Sequence, residues 1–375
     1  MPEIIFGSGS IKQVGESCLR LGAQKVFIVT DPGVISAGWL ERVTESCKTA
    51  NLSYSIFSNI TTNPKDYEVE QGVKEYIAAE CDAIVGVGGG SAIDVAKAIA
   101  ILTTNGGNIH DYEGVDKITS PLPPMVMVAT TAGSGSEVSQ FSIILDSTHH
   151  VKISIISKSL IPDIAIIDPE TLVTKNSLLT ATTGLDVLTH AIESFVSIAA
   201  TPLTDVQAIN AMKLVTKYLR PSVATKLNIE AKEKMAMASL QAGLAFSNAI
   251  LGAVHAMSHA IGGRFQLPHG DVNAILLPHV MEYNYIAAPE KFLQIAQIFY
   301  EESCEINYVN AGEKVVQYVK KLSKDIGAPQ RLSDFGLTEN DADTISEYAL
   351  EDACMITNPR DVTKEDVKTL FIQAL

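Results

Sequence analysis

Ala83-Ile84-Val85-Gly86-Val87 is a short apolar run; Gly88-Gly89-Gly90-Ser91 follows it, and a helical pattern then runs from Ala92 to Leu102. A buried strand that breaks on glycines and resumes as a helix reads as a βα unit. Glycines let the backbone come close to a ligand. The helix start behind them offers free N–H groups and the positive end of a dipole, which together suit a pyrophosphate. The pattern is GxGxxS rather than the full GxGxxG, and taken alone a tight βα turn explains it equally well.

Similar runs lie on both sides. Lys25-Val26-Phe27-Ile28-Val29-Thr30 stops at the turn signal Asp31-Pro32-Gly33, and Met125-Val126-Met127-Val128-Ala129 and Ile164-Ala165-Ile166-Ile167 are further strand-like segments. Continuous apolar strands separated by helical segments predict a parallel sheet with helices on both faces. The small, hydroxyl-rich loop Thr130–Glu137 follows the Met125–Ala129 run. Two such loops at the carboxyl ends of neighbouring strands would form the crevice where these sheets bind ligands. Asp31 could accept hydrogen bonds from ribose hydroxyls and repel a 2′-phosphate, favouring NAD over NADP; its plainer role is a turn residue. It lies far upstream of the glycines, which predicts a strand topology other than Rossmann's.

After about Asp168 long helical patterns dominate, among them Thr204–Tyr218 and Ala231–Phe246. The expected architecture is an α/β NAD-binding domain over 1–176, with a parallel sheet, followed by an all-α metal-binding domain over 177–375. A chain of 375 residues exceeds what one core usually supports, and 46% hydrophobic with 19% charged residues is a globular balance. A formal charge of −15 argues against nucleic acid and against anionic membrane surfaces, both of which need Lys/Arg patches. The start Met1-Pro2-Glu3 carries no basic leader, and no run of about 18 apolar residues appears. Cys18, Cys47, Cys81, Cys304 and Cys354 are scattered and never in CxxC spacing, as expected of reduced thiols in the cytoplasm.

The second half concentrates potential ligands. In Gly184-Leu185-Asp186-Val187-Leu188-Thr189-His190 the acid and the imidazole are four apart, hence one helical turn apart on one face. Val254-His255-Ala256-Met257-Ser258-His259 repeats that spacing, and Leu267-Pro268-His269-Gly270 presents a histidine in what reads as a turn. One carboxylate with three imidazoles drawn from this set suits Fe²⁺, Zn²⁺, Co²⁺ or Ni²⁺. Hydrogen-bonded core histidines are the plainer alternative.

Together these segments resemble the iron-containing alcohol dehydrogenases, which are related to glycerol dehydrogenase and dehydroquinate synthase. The likeness runs through Phe6-Gly7, Asn63-Pro64, the Gly88–Ser91 loop with Asp94 and Lys97, Thr130–Glu137, and Asp168-Pro169. It continues through Gly184-Leu185-Asp186 with His190-Ala191-Ile192-Glu193, Gly252–His255, Pro268-His269-Gly270 and Asn358-Pro359-Arg360. The resemblance implies metal ligands at Asp186, His190, His255 and His269, and a further histidine outside the ligand set at His259. It implies cofactor contacts at Asp31, Gly88, Gly89, Gly90, Ser91, Thr130, Thr131, Ser134 and Lys152, and a substrate-cleft position at Phe246.

The activity expected on this resemblance is a metal-dependent, NAD(H)-linked alcohol dehydrogenase or aldehyde reductase. It would move a hydride between nicotinamide and a small primary alcohol, a diol or its aldehyde, with Fe²⁺, Zn²⁺ or a similar ion as Lewis acid and His259 as proton relay. A homodimer or larger homo-oligomer is implied as well. Alternatives are a glycerol-dehydrogenase-like or dehydroquinate-synthase-like relative, and a silent NAD- or metal-binding assembly subunit. Four intact ligand positions weigh against the glycerol-dehydrogenase branch, and the lack of a Lys/Arg cluster against the synthase.

Overall fold

The computed structural model describes residues 1–301 and 306–375, so Cys304 lies outside the described residues. The chain divides into two compact units, Met1–Thr174 and Lys175–Leu375.

The first unit carries strands β1 (Glu3–Phe6), β2 (Lys25–Thr30), β3 (Ser53–Phe57), β4 (Ala83–Gly88), β5 (Gly114–Val115), β6 (Met125–Ala129), β7 (Phe141–Asp146), β8 (Val151–Ile156) and β9 (Ile164–Ile167). Its helices are α1 (Val14–Arg20), α2 (Pro32–Ser36), α3 (Trp39–Thr49), α4 (Asp66–Ala78) and α5 (Gly90–Asn105). Six strands form one sheet in the order β1-β9-β6-β4-β2-β3, with every pair parallel. The unbroken apolar character of these strands has a direct cause. Side chains alternate between faces, and both faces are covered: Val26 and Ile28 join a core with Val14 and Val43, while Phe27 and Val29 join one with Val69 and Ile99.

The order is not Rossmann's, because the first strand sits at the far edge instead of the centre. From β2 the chain moves outward to β3, then returns to β4 on the other side of β2 and continues to β6 and β9. The sheet therefore reverses direction between β2 and β4, and Asp31 and the glycine loop follow those two strands. Ligands bind such sheets at a reversal of this kind, beyond the carboxyl ends of the strands.

A second, three-stranded sheet, β5-β8-β7, was not anticipated; β7 and β8 pair antiparallel and β5 and β8 parallel. The expectation of a parallel sheet describes the main sheet and misses this hairpin, whose β8 strand carries Lys152.

In the second unit the helices are α6 (Ser177–Val196), α7 (Pro202–Ala224), α8 (Ile229–Ala249), α9 (Ala253–Phe265), α10 (His269–Asn284), α11 (Pro289–Phe299), α12 (Ala311–Asp325), α13 (Ala342–Glu351) and α14 (Lys364–Gln373). Among its described residues there is no strand. The periodic stretches Thr204–Tyr218 and Ala231–Phe246 lie inside α7 and α8. No single helix among the described residues is long and apolar enough to cross a membrane. Between α8 and α9 the chain turns by 99°, and Ile250 there holds φ 60. A β-branched residue accepts that region only under tertiary constraint. The bend sets the start of α9, and with it His255.

Candidate functional site

In the first unit the two small-residue loops meet. The Thr130 amide donates to the Gly88 carbonyl at 2.8 Å, which starts the second loop beside the first. A Cβ on Gly88 would lie 2.6 Å from the Ala92 Cβ and 3.0 Å from Asp31 Oδ2; one on Gly90 would lie 3.0 Å from the Ser134 Cβ. Only glycine fits so close an approach. Ser91 lies in the first turn of α5, and Gly89 packs on Thr131, whose Oγ1 would be 3.2 Å from an added Cβ. The helix has no side-chain cap, so its first amides are available to an anion, and this cradle fits a pyrophosphate.

Asp31 has two commitments. Its Oδ1 caps α2 by accepting from the Gly33 and Val34 amides at 2.8 and 3.0 Å, which is the turn role. Its Oδ2 is the oxygen that approaches Gly88. The structure thus brings Asp31 to the glycine loop despite the distance in sequence.

Beneath the loops lies a buried ionic group. Lys97 donates to the carbonyls of Ser139 and Phe141 at 2.7 and 2.9 Å. Burial pushes Lys97 down to about 8, against the pull of Asp94 and Glu137. Burial likewise pushes Asp94 up to about 6 and Glu137 up to about 7, opposed in each case by Lys97 and by hydrogen bonds. The group ties α5 to the end of the second loop, and Lys152 adds its charge toward Asp94.

In the second unit α6 presents Asp186, His190 and Glu193 at spacings of four and three, hence on one face. One donor atom from each of Asp186, His190, His255 and His269 lies within 4.8 Å of all the others. Asp186 Oδ1 is 3.9 Å from His190 Nε2, 3.7 Å from His255 Nε2 and 3.9 Å from His269 Nε2. Ligands about 2.0–2.1 Å from a tetrahedral ion stand about 3.3–3.4 Å apart, so this slightly wider set fits a divalent ion with room for a further ligand. His269 is not in a turn as expected: it is the first residue of α10, and Pro268 precedes it with non-helical ψ 128. Gly270 explains the placement, since a Cβ there would lie 2.9 Å from the Thr182 carbonyl oxygen. That close approach brings the start of α10 against α6, one turn before Asp186.

The ring nitrogens of His255 and His269 that point away from the cluster are held. Glu193 Oε2 accepts from His255 Nδ1 at 2.6 Å, and Glu193 Oε1 accepts from the Val254 amide at 2.7 Å. Gly252, the residue before α9, has no side chain to cap the helix; Glu193 does so from α6, and a Cβ on Gly252 would lie 2.9 Å from its Oε1. Burial pushes the Glu193 carboxyl up to about 7, while the amides of Val254, Gly252 and His255 and the charge of His190 pull it down. Ser258 Oγ meets His269 Nδ1 at 3.0 Å. With Nδ1–H fixed in this way, each Nε2 keeps its lone pair for a cation. Asn273 Nδ2 lies 2.7 Å from Asp186 Oδ1, 3.0 Å from His269 Nε2 and 3.2 Å from His255 Nε2. It marks the point on which three donors converge.

His259 stands beside this cluster, its ring stacked on His269 at 5.4 Å. Its Nδ1 donates to Asp352 Oδ2 at 2.8 Å. Burial alone would raise the Asp352 carboxyl, but His259 and the Cys354 amide hold it below the usual range. Phe246 stacks on His190 at 4.6 Å and forms an apolar wall. Glu193, Ser258, Asn273 and Asp352 were given no role on sequence grounds. Only the helical spacings of Glu193 from His190 and of Asn273 from His269 could have pointed to two of them.

Family models cover nearly all of the chain. One described as iron-containing alcohol dehydrogenase matches residues 2–169, and one described as the C-terminal part of the Fe-containing alcohol dehydrogenase family matches 180–375. A 1,3-propanediol dehydrogenase of Klebsiella pneumoniae is 42% identical over 371 residues, 98% of this chain and 96% of that protein. An NAD-dependent methanol dehydrogenase of Bacillus methanolicus is 40% identical over 374 residues, 100% of this chain and 98% of that one. A crystal structure of 1,3-propanediol oxidoreductase superposes with a TM-score of 0.97 at 42% identity, covering 100% of this chain and 98% of that one. The chain belongs to the iron-containing alcohol dehydrogenase family, and it is an oxidoreductase acting on alcohols and aldehydes with NAD and a divalent metal.

Proposed function

We propose that Asp186, His190, His255 and His269 hold Fe²⁺, and that the enzyme interconverts a small primary alcohol or diol with its aldehyde. The convergence of one carboxylate oxygen and three imidazole nitrogens within 4.8 Å carries this reading. Asp31, Gly88, Gly89, Gly90, Ser91, Thr130, Thr131, Ser134 and Lys152 bind NAD(H) in it. The ion supplies Lewis acidity toward the substrate oxygen, and the nicotinamide supplies or accepts the hydride. Glu193 and Ser258 keep His255 and His269 in the ligating tautomer. His259, with Nδ1–H held by ionised Asp352, offers Nε2 as the proton acceptor when an alcohol is oxidised and returns that proton in reduction. The Phe246 wall beside His190 favours short substrates, in keeping with the propanediol and methanol named for two relatives. The protein acts in the cytoplasm as a homodimer or larger homo-oligomer; exposed Ile198, Leu203 and Val206 support self-association.

A panel of methanol, ethanol, propanediols, butanol and lactaldehyde, run in both directions with reloaded enzyme, tests the substrate class. Turnover is expected with at least one short alcohol, and activity only on long or charged substrates contradicts the proposal. In the same assay, protein reloaded anaerobically with Fe²⁺ is expected to turn over faster than the Zn²⁺, Co²⁺ and Ni²⁺ forms at matched occupancy. His259→Ala should keep its metal and lose turnover. A faster zinc enzyme contradicts the iron assignment, and metal loss in His259→Ala contradicts its separation from the ligand set.

Asp31→Gly tests cofactor choice. Removing a close, partly buried repulsion is worth roughly 1–3 kcal/mol, about 5–150-fold. The cap lost from α2 costs only a few tenths of a kcal/mol when glycine replaces it. The ratio of kcat/KM for NADP over NAD should rise accordingly, and an unchanged ratio would leave Asp31 as a cap alone.

A further inference from the structure

The turn after β7 gathers four groups that the dehydrogenase site does not use. Asp66 is the first residue of α4 and Asp146 the last of β7, and both are buried. His110 lies in the short 3₁₀ turn Ile109–Tyr112, and His149 in the turn joining β7 to β8. His110 directs Nε2 at Asp66 Oδ2 (3.2 Å) and Nδ1 at Asp146 Oδ2 (3.5 Å). His149 Nδ1 is 2.7 Å from that same Asp146 oxygen. One donor atom each from Asp66, His110 and Asp146 falls within 4.8 Å of the other two.

The main chain orients both carboxylates. Asp66 Oδ1 accepts from the Tyr67 amide at 2.9 Å, and Asp146 Oδ1 accepts from the Thr148 and His149 amides at 2.7 and 2.9 Å. Each Oδ2 is thereby turned toward the imidazoles, with the Ser147 amide reaching Asp66 Oδ2 at 3.3 Å. Burial would raise both carboxyls, but hydrogen bonds from Ser147, Tyr67 and His110 on Asp66, and from His149 and Thr148 on Asp146, hold them below the usual range. A neutral imidazole carries a single N–H and can donate to only one of the two oxygens that His110 faces; its other nitrogen then meets a carboxylate lone pair to lone pair. A second proton, or a cation on the nitrogen that lacks one, removes that conflict. His110 is one-third exposed, so an ion can reach the group from solvent.

We propose that Asp66, His110 and Asp146 form a second cation site that takes Zn²⁺. Two carboxylates and one neutral imidazole balance a divalent charge and match donors that zinc accepts, with a water in the fourth position. Ligands on a tetrahedral zinc stand about 3.3–3.4 Å apart; His110 Nε2 is 3.2 Å from Asp66 Oδ2, and one donor atom from each of the three residues lies within 4.8 Å of the other two, so side-chain rotations bring the set onto one ion. The role is structural: the ion pins the β7–β8 hairpin, which carries Lys152, to the start of α4.

The test counts zinc in protein whose other candidate site is disabled. His255→Ala is stripped with chelator, dialysed against micromolar Zn²⁺ and measured by mass spectrometry, beside the same protein carrying His110→Ala or Asp66→Asn in addition. One zinc per His255→Ala chain and none in either double variant is expected, with zinc raising the Tm of His255→Ala alone. No zinc in His255→Ala, or zinc retained in either double variant, overturns the proposal. Asp66→Asn keeps the side-chain shape; unchanged NADH binding in that variant excludes misfolding as the cause of zinc loss.

Discussion

His255→Ala is expected to lose most of its bound catalytic metal and to lower kcat by about a thousandfold or more, with NADH binding unchanged. The Lewis acid lowers the barrier by several kcal/mol, and each 1.4 kcal/mol or so is tenfold in rate. His255 is buried, and its two nitrogens serve different partners: Nδ1 serves Glu193 and Nε2 faces Asp186. Alanine would therefore remove one of the proposed ligands and leave the Glu193 carboxyl without its imidazole. The glycine loop lies in the other unit, so the cofactor should still bind. His269→Ala should behave alike. Metal analysis with NADH fluorescence titration checks both, and full metal occupancy in either variant would remove that residue from the set.

Glu193→Gln is the second large effect, an expected loss of about 10–100-fold in metal affinity. Glu193 accepts two hydrogen bonds, from the Val254 amide and from His255 Nδ1. An amide side chain has one oxygen for these two donors. If the oxygen stays on the Val254 amide, the NH₂ group faces Nδ1, and the imidazole must move its proton to Nε2, the atom required for the ion. If it turns to Nδ1, the start of α9 loses its cap. Competition against a chelator of known affinity measures the loss, and Co²⁺ absorption reports any change in the site's geometry. Unchanged affinity with an unchanged Co²⁺ spectrum would show that Glu193 serves the fold of α9 alone.

How much was legible depends on whether the relevant contact is local. The β2 and β4 runs were readable because strands covered on both faces are apolar throughout, and they ended within a residue of where the structure ends them. Asp186 and His190 shared a face by helical period. Their meeting with His255 and His269 is tertiary; the gathering of one acid and several histidines in this half suggested it, and the resemblance chose which histidines. His269 was misplaced because Pro and Gly on either side imitate a turn; here Pro268 precedes a helix, and Gly270 is needed for contact with Thr182. The β7–β8 hairpin escaped notice because Ser147-Thr148-His149-His150 carries no glycine turn signal, although His150 adopts φ 58. Glu193, Ser258 and Asp352 act on histidines up to 93 positions away, a relation no local pattern encodes.

This chain is expected to couple alcohol oxidation to NAD reduction through a metal held by Asp186, His190, His255 and His269. Absorbance of the reduced nicotinamide tests it most directly, with a short alcohol and NAD supplied to chelator-stripped protein before and after anaerobic addition of Fe²⁺. No NADH is expected before addition, sustained multiple-turnover formation after it, and none in His255→Ala treated identically. NADH formation by the stripped protein, or equal formation by His255→Ala, would contradict it.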